Sequence, residues 1–584
     1  MKLPIKRYIL LLSKYLRPLK LRTTLLAIVL LCGIALQLLD PQILAYFIDT
    51  ALAGGATITL LLAGLLFILV ALANQGVMVV QTYLSQYIAW TATNQLRTDL
   101  LAHCLSLDMS FHKARTPGEM IERIDGDVDA LSNFFSQFAI SLLTSLLLVI
   151  AVLFLLWRID WRVGLALMLF SIGTFLLLMY LRNRAVPLQR EQRQMSATFF
   201  GFLGEHLAGT EDVRANGATG YVMYSLDRLL RRWRPIYGKA QMAGGTMWVV
   251  VMCLFVCANA LGFALGAYLW SQELASIGTV YLIGAYISLL SQPIRQIQTQ
   301  LQDMQAAEAC MQRIEELFKI SSKLDNIGAT EEAELPSGPL SVAFEHVSFG
   351  YVEDIPVIHN LSFAVQPGKV LGVLGRTGSG KTTLARLLFR LYDPQSGEIR
   401  TGDVPVNGMP LQRVRRRIGM VTQDVQIFHA SVRDNLTFFN STIADEQIRA
   451  AIHDAGLTPW FSLLPDGLDT MLGSDGAGIS AGEAQLLAFT RVLLTDPGLI
   501  ILDEASSRLD PATENRIEHA INKLFAGRTA IVIAHRLATI QRADDILLIE
   551  NGHILEYGNR ELLASDPTTH FAHLLQTGLE EVLA

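Results

Sequence analysis

Six stretches of this chain, at about residues 23–48, 57–82, 133–157, 162–182, 246–270 and 277–297, meet or approach the run of roughly 20 apolar residues that a helix needs to cross a hydrocarbon core. Helices apolar on every side belong in lipid, where the backbone satisfies its own polar groups and the side chains need no water. The apolar excess lies before about residue 300, and it lifts the whole 584-residue chain to 51% hydrophobic and 17% charged. The remainder has the strand, turn and helix alternation of a soluble α/β domain.

An even number of spans returns the chain to the side on which it began. Lys2, Lys6, Arg7, Lys14, Arg17, Lys20 and Arg22 form a basic flank with no small-residue cleavage site behind it, so it reads as a cytoplasmic flank and not as a cleaved signal. The expected protein is therefore multi-pass in the cytoplasmic membrane, with everything after residue 300 in the cytoplasm. Arg158 and Arg162 lie on the outer side in this topology, against the rule, and are outweighed by the N-terminal flank. Connections after the first, third and fifth spans are short, whereas those near 81–132 and 182–245 are long and remain helical in pattern, so helices there should project into the cytoplasm.

A polar helical stretch at 300–318 leads into a linker with Gly, Pro, Ser and acidic residues. The expected division is a flank at 1–22, a membrane domain at 23–318, a linker at 319–340 and a nucleotide-binding domain at 341–584. The net charge of −6 with mixed signs leaves no basic face for nucleic acid. Cys32, Cys104, Cys253, Cys257 and Cys310 are scattered without metal-ligand spacing, which argues against a metal or redox centre.

The strongest chemical signal is Gly375-Arg376-Thr377-Gly378-Ser379-Gly380-Lys381-Thr382, which fits G-x-x-x-x-G-K-[ST] between an apolar strand and an amphipathic helix. Its glycines let backbone N–H groups curl around phosphates, joined by the helix N-terminus with Thr383. Lys381 reaches the β- and γ-phosphates of ATP, and Thr382 offers a ligand to Mg²⁺. A second apolar strand ends in Asp503-Glu504, where the first acid suits the metal and the second suits the attacking water. Two more strands end at Gln423 and His535, so an open parallel sheet would deliver Lys381, Gln423, Glu504 and His535 to one edge. Ser480 with Glu483 forms a capping box, opening a helix whose free N–H groups make an anion site that includes Gly482.

Taken in order, these motifs resemble the ATP-binding-cassette (ABC) superfamily, and the whole chain resembles a half-transporter of its multidrug, lipid and peptide exporter branch. The resemblance implies an all-α six-helix transmembrane domain fused to an α/β phosphate-loop ATPase domain. It implies that Tyr351 stacks on adenine, that Gln423 joins the metal and the membrane domain to the nucleotide, and that Ser480 and Gly482 press on the γ-phosphate of the opposite subunit. By the same likeness His535 is the switch histidine, and Asp510 belongs to a loop crossing the dimer interface. Residues 111–123 with Asp127, and 205–215, resemble the two cytoplasmic hairpins whose short helices dock on the ATPase.

Two departures stand out: Ile479-Ser480-Ala481-Gly482-Glu483 replaces the common L-S-G-G-Q, and Arg508 takes a position where the family often has a small residue. The implied partners are a second half-transporter, identical or different, the bilayer, and an amphipathic drug, lipid or peptide as cargo. The implied cycle alternates an inward state with an ATP-clamped outward one. An ATP-gated regulator that pumps nothing is the rival reading, as is a less active subunit of a heterodimer. Asp40 beside Pro41, with Asn74 and Gln75, are the candidates for a cargo cavity within the spans.

Overall fold

The computed structural model describes residues 14–577 apart from 134–139, 323, 325–333, 353–354, 474–478, 504–510 and 534–539, with the backbone alone at 140–142, 292–306, 308, 511–512 and 577. The chain divides into two compact units, residues 1–105 with 117–320 and residues 106–116 with 321–584. A helical transmembrane domain is thus fused to an α/β domain.

The first unit is built from α1 (Lys20–Leu52), α2 (Thr57–Ser106), α3 (Ile140–Ile159), α4 (Trp161–Ala208), α5 (Thr219–Ser271) and α6 (Ile277–Lys319). The helices that contain the first, second, fourth and fifth stretches are long and apolar enough to cross a membrane, whereas the described apolar parts of α3 and α6, Leu143–Ile159 and Ile277–Ser291, are shorter. Leu61, Leu65, Ile68, Leu69 and Leu72 of α2 lie open on its surface, as befits a face turned to acyl chains. The 48 residues of α4 and 53 of α5 give rods of roughly 72 and 80 Å at 1.5 Å per residue, far more than a hydrocarbon core of about 30 Å. Their excess ends are the polar stretches that the loop lengths predicted.

The tight connections are capped locally. Asp160 separates α3 from α4 and accepts from the Arg162 N–H at 2.7 Å, and Ser276 caps α6 by accepting from the Thr279 N–H at 3.1 Å. Asp49 of α1 then takes the Ser276 hydroxyl at 2.6 Å and the Gly278 N–H at 2.7 Å, fastening α6 to α1. Only glycine fits at 278, since a Cβ would sit 2.4 Å from the Ala45 carbonyl. Val152, Leu156, Val163, Leu167, Ile283 and Ile287 form the buried seam among α3, α4 and α6. Below it, buried Asp127 takes a bidentate pair from Arg313 of α6, with Nε at 2.8 Å.

The second unit has two sheets. Strands β1 (Val342–Phe349), β2 (Ile358–Val365), β3 (Val370–Leu374), β4 (Ser396–Thr401), β5 (Val404–Pro405), β6 (Ile418–Val421), β7 (Leu499–Asp503), β8 (Thr529–Ile533), β9 (Asp545–Glu550) and β10 (His553–Asn559) are interleaved with α7 (Lys381–Leu388), α8 (Val432–Thr437), α9 (Ala481–Thr495) and α10 (Pro511–Phe525). An antiparallel sheet runs β2-β1-β4-β5, and a six-stranded sheet runs β10-β9-β3-β8-β7-β6. In the latter all neighbours from β9 to β6 are parallel, and β10 closes one edge antiparallel. Strands β7 and β8 are buried at every residue, as a parallel sheet covered on both faces requires. The helices fill one side with a core around Leu486, Phe489, Ile500 and Leu524, and the antiparallel sheet fills the other around Phe344, Val373 and Leu384.

Candidate functional site

Because β3, β8, β7 and β6 are adjacent and parallel, their carboxyl ends share one edge, as the strand-end residues predicted. The phosphate-loop motif leaves β3 there. Gly375 has φ +151 and a Cβ on it would lie 2.1 Å from the Ile549 carbonyl, while Gly380 takes φ +107 immediately before α7. Neither backbone accommodates a side chain. Lys381, the first residue of α7, is buried with Nζ folded back on the loop, donating to the carbonyls of Gly375 at 2.6 Å and Arg376 at 3.0 Å. Ser379 Oγ is buried beside it with no hydrogen-bond partner among the described residues. An unpaired hydroxyl, a concentrated ammonium and a helix N-terminus together fit a polyphosphate.

Thr382 and Asp503, each expected to serve the metal, lie side by side, Thr382 Oγ1 donating to Asp503 Oδ1 at a long 3.5 Å. Burial at the end of β7 pushes the Asp503 carboxyl above its usual range, against the opposing pull of Thr382, Arg386 and Lys381. A hydroxyl and a carboxylate so placed are hard oxygen donors suited to Mg²⁺, and a divalent charge there would favour the ionised form of Asp503. Gln423 follows β6 at the same edge and is exposed. Glu504, Asp510, His535 and Arg508 lie outside the described residues. The strands that carry Glu504 and His535 end one and two residues before them, at Asp503 and Ile533.

Tyr351 follows β1 and is half-buried, its hydroxyl 3.1 Å from Thr383 Oγ1 and accepting from Arg386 at 3.1 Å. Phe349 and Tyr392 meet it edge to face, and Lys113 of the short helix Met109–Lys113 places Nζ 4.3 Å from its ring centroid. Sequence reasoning missed both cations. Arg386 is one helical turn beyond Thr382, so periodicity carried a signal for it; Lys113 is 238 residues away in sequence, and nothing local marked it.

Ser480 caps α9 in the predicted box. Its Oγ accepts from the Glu483 N–H at 3.3 Å, its own N–H donates to Glu483 Oε2 at 2.9 Å, and its hydroxyl lies 2.9 Å from the same oxygen. Gly482 is buried in the first turn. Further along α9, Arg491 went unnoticed in the sequence. It is buried, donates to the Asn435 carbonyl at 2.7 Å, the Gln426 carbonyl at 2.9 Å and Asn435 Oδ1 at 3.1 Å, and sits over the Phe438 ring. Burial lowers its pKa to about 10, which leaves it charged at neutral pH. It therefore ties α9 to the segment after Gln423. Arg491→Met removes the charged donor from the Asn435 and Gln426 carbonyls and should cost about 2–4 kcal/mol, read as a lower thermal midpoint of the full-length protein; a midpoint within error of wild type would show the contacts to be idle.

Of the residues expected to line a cavity, Asn74 of α2 is buried with Oδ1 lacking a partner among the described residues, whereas Gln75 is exposed, as consecutive helical residues must diverge. Asp40 Oδ1 is likewise buried without a partner among the described residues, in the turn where Pro41 interrupts the ladder of α1.

Residues 23–294 match the family model of the ABC transporter transmembrane region, and 358–507 match that of the ABC transporter. The chain is 28% identical to the putative ABC transporter ATP-binding protein exp8 of Streptococcus pneumoniae over 97% of both chains. It is 30% identical to the ATP-dependent lipid A-core flippase of Burkholderia orbicola, covering 82% of this chain and 80% of that protein. With the fatty acid ABC transporter ATP-binding/permease protein of Mycobacterium bovis it shares 31% identity over 80% and 74% of the respective chains. A solved bacterial Atm1-family ABC exporter with ATP bound superposes with a TM-score of 0.76 at 25% identity, covering 96% of this chain and 97% of that one. Helices fit for lipid, a phosphate loop at a parallel sheet edge and relatives matched along most of their length lead to one assignment: the chain belongs to the ABC transporter family, as an exporter-type membrane domain joined to the ATPase that drives it.

Proposed function

We propose that two such chains, each with a membrane domain at 23–318 and a nucleotide-binding domain at 341–584, export an amphipathic molecule across the cytoplasmic membrane at the expense of ATP. The ATPase faces the cytoplasm, as the basic flank at 1–22 requires. Each ATP lies on one chain's phosphate loop and is closed over by the partner's α9 N-terminus. Lys381 and the loop N–H groups hold its phosphates, with Thr377, Gly378 and Thr383 completing the cradle, and Tyr351 takes the base. Mg²⁺, which supplies charge neutralisation when bound, is held by Thr382 and Asp503 with Gln423 beside them. Glu504 receives the proton of the attacking water, His535 contacts the γ-phosphate and Asp510 crosses the interface.

The observation that carries this reading is the grouping of Lys381, Ser379, Thr382 and Asp503 at one sheet edge in a chain whose other unit is lipid-facing helix. Relatives named for lipid A-core and fatty acids support an amphipathic cargo. ATP-dependent accumulation of an amphipathic probe against its gradient in sealed inverted vesicles tests it. A gate can only let a gradient collapse, so collapse without accumulation would favour the regulator and overturn the exporter.

One observation favours the less active subunit as a second reading. The Ser480 hydroxyl is engaged by Glu483 Oε2 at 2.9 Å, which puts an anion beside the place a partner's γ-phosphate would occupy. Glutamine at 483 keeps the capping box. Glu483→Gln in the chain expressed alone should raise ATP turnover about fivefold, the equivalent of ~1 kcal/mol of relieved repulsion; no change in rate would remove the basis of this second reading.

A further inference from the structure

The first unit contains a cavity of about 430 Å³ among α3, α4, α5 and α6, within the size range of small-molecule sites. Leu153 of α3, Met168, Phe175 and Met179 of α4, Met247 of α5 and Leu290 of α6 make its walls, and among the described residues its one charged lining residue is Arg182. Nine residues of α4 between Met168 and Arg182, about 21 Å of helix at 1.5 Å per residue, form that wall.

Arg182 lies 21 residues after Trp161, or roughly 31 Å along α4, one hydrocarbon thickness from that exposed indole. It thus stands at headgroup level at the polar end of the span. Arginines at this level ordinarily snorkel, with the guanidinium in water. Arg184, two residues on, is exposed and lies over the Tyr180 ring at 5.0 Å. Arg182 does otherwise: it is half-buried at the cavity, its Nε is sealed from solvent, and that nitrogen has no acceptor among the described residues. A guanidinium set in an otherwise apolar wall and stripped of part of its hydration costs free energy that an anionic oxygen recovers, and a carboxylate or phosphate suits its planar donor set.

We propose that this cavity binds an amphipath with one anionic headgroup and a long hydrocarbon chain, the head at Arg182 and the chain against α3 and α4. The proposal rests on the exporter reading and names the charge of its cargo. Carboxylate and phosphate heads share this chemistry, and the test separates them.

The full-length protein in phosphatidylcholine nanodiscs is titrated with oleate, oleyl phosphate, oleyl alcohol and oleyl trimethylammonium, with tryptophan fluorescence as the readout. One or both anions should bind at least tenfold more tightly than the alcohol or the cation, the stronger of the two identifying the head. Arg182→Gln should bring the anions to the level of the alcohol while alcohol affinity stays within twofold, which also shows the variant to be folded. Arg182→Lys should keep part of the preference, and Ser171→Phe, which fills the cavity, should weaken every oleyl probe. Equal affinity for anion and alcohol in the wild type, or undiminished anion binding in Arg182→Gln, overturns the proposal. ATP turnover is measured in the same discs: turnover without anion preference overturns the anion site alone and leaves the exporter standing.

Discussion

Lys381→Met lowers both ATP affinity and ATP turnover at least 100-fold. Methionine matches the length of the lysine stem, so the change removes charge and leaves volume nearly intact. In wild type the ammonium is buried and folded onto two loop carbonyls at 2.6 and 3.0 Å, already desolvated where the phosphates must arrive. Charge-assisted bonds to a developing phosphoryl charge in such a place contribute roughly 3–4 kcal/mol, and about 1.4 kcal/mol is a factor of ten. Equilibrium nucleotide binding and steady-state phosphate release measure the two effects. Loss below tenfold in both would show that the loop grips phosphate with its N–H groups and dipole alone.

Glu504→Gln separates binding from chemistry. Amide for carboxylate leaves size and position alone but removes the base, so turnover should fall 10²- to 10⁴-fold, the range for a lost general base. Nucleotide affinity should stay within a few-fold and the paired, ATP-loaded form should accumulate. Asp503, buried at the end of β7 beside Thr382, is untouched by this change. Turnover at the wild-type rate in Glu504→Gln would remove that residue from its role and direct the search for the base to another strand end on the same edge.

Contiguous motifs were readable because their geometry is local. The phosphate loop needed only a strand before it and a helix after it, and the Ser480–Glu483 box closed as its spacing required. Apolar strands with polar termini foretold the shared edge of β3, β8, β7 and β6. The antiparallel sheet was not legible, since β1 pairs with β4 across two intervening strands and a helix and no pattern marks such long-range partners. Arg491 looked like one more residue of an apolar helix; its importance lies in carbonyls 56 and 65 positions away. Arg182 looked like the polar end of a span, and only the packing of four helices shows it turned inward. Asn74 and Gln75 were read as a pair, whereas the helix puts one inside and one outside.

The unbroken length of α4 and α5 has a mechanical corollary. For a rod of some 75 Å, each degree of inclination carries the far tip sideways by about 1.3 Å, so a reorientation too slight to disturb packing between neighbours becomes several ångströms at the polar end. Pro187 and Pro235 lie within those polar extensions, where a missing hydrogen bond softens the rod outside lipid and leaves the crossing portion stiff.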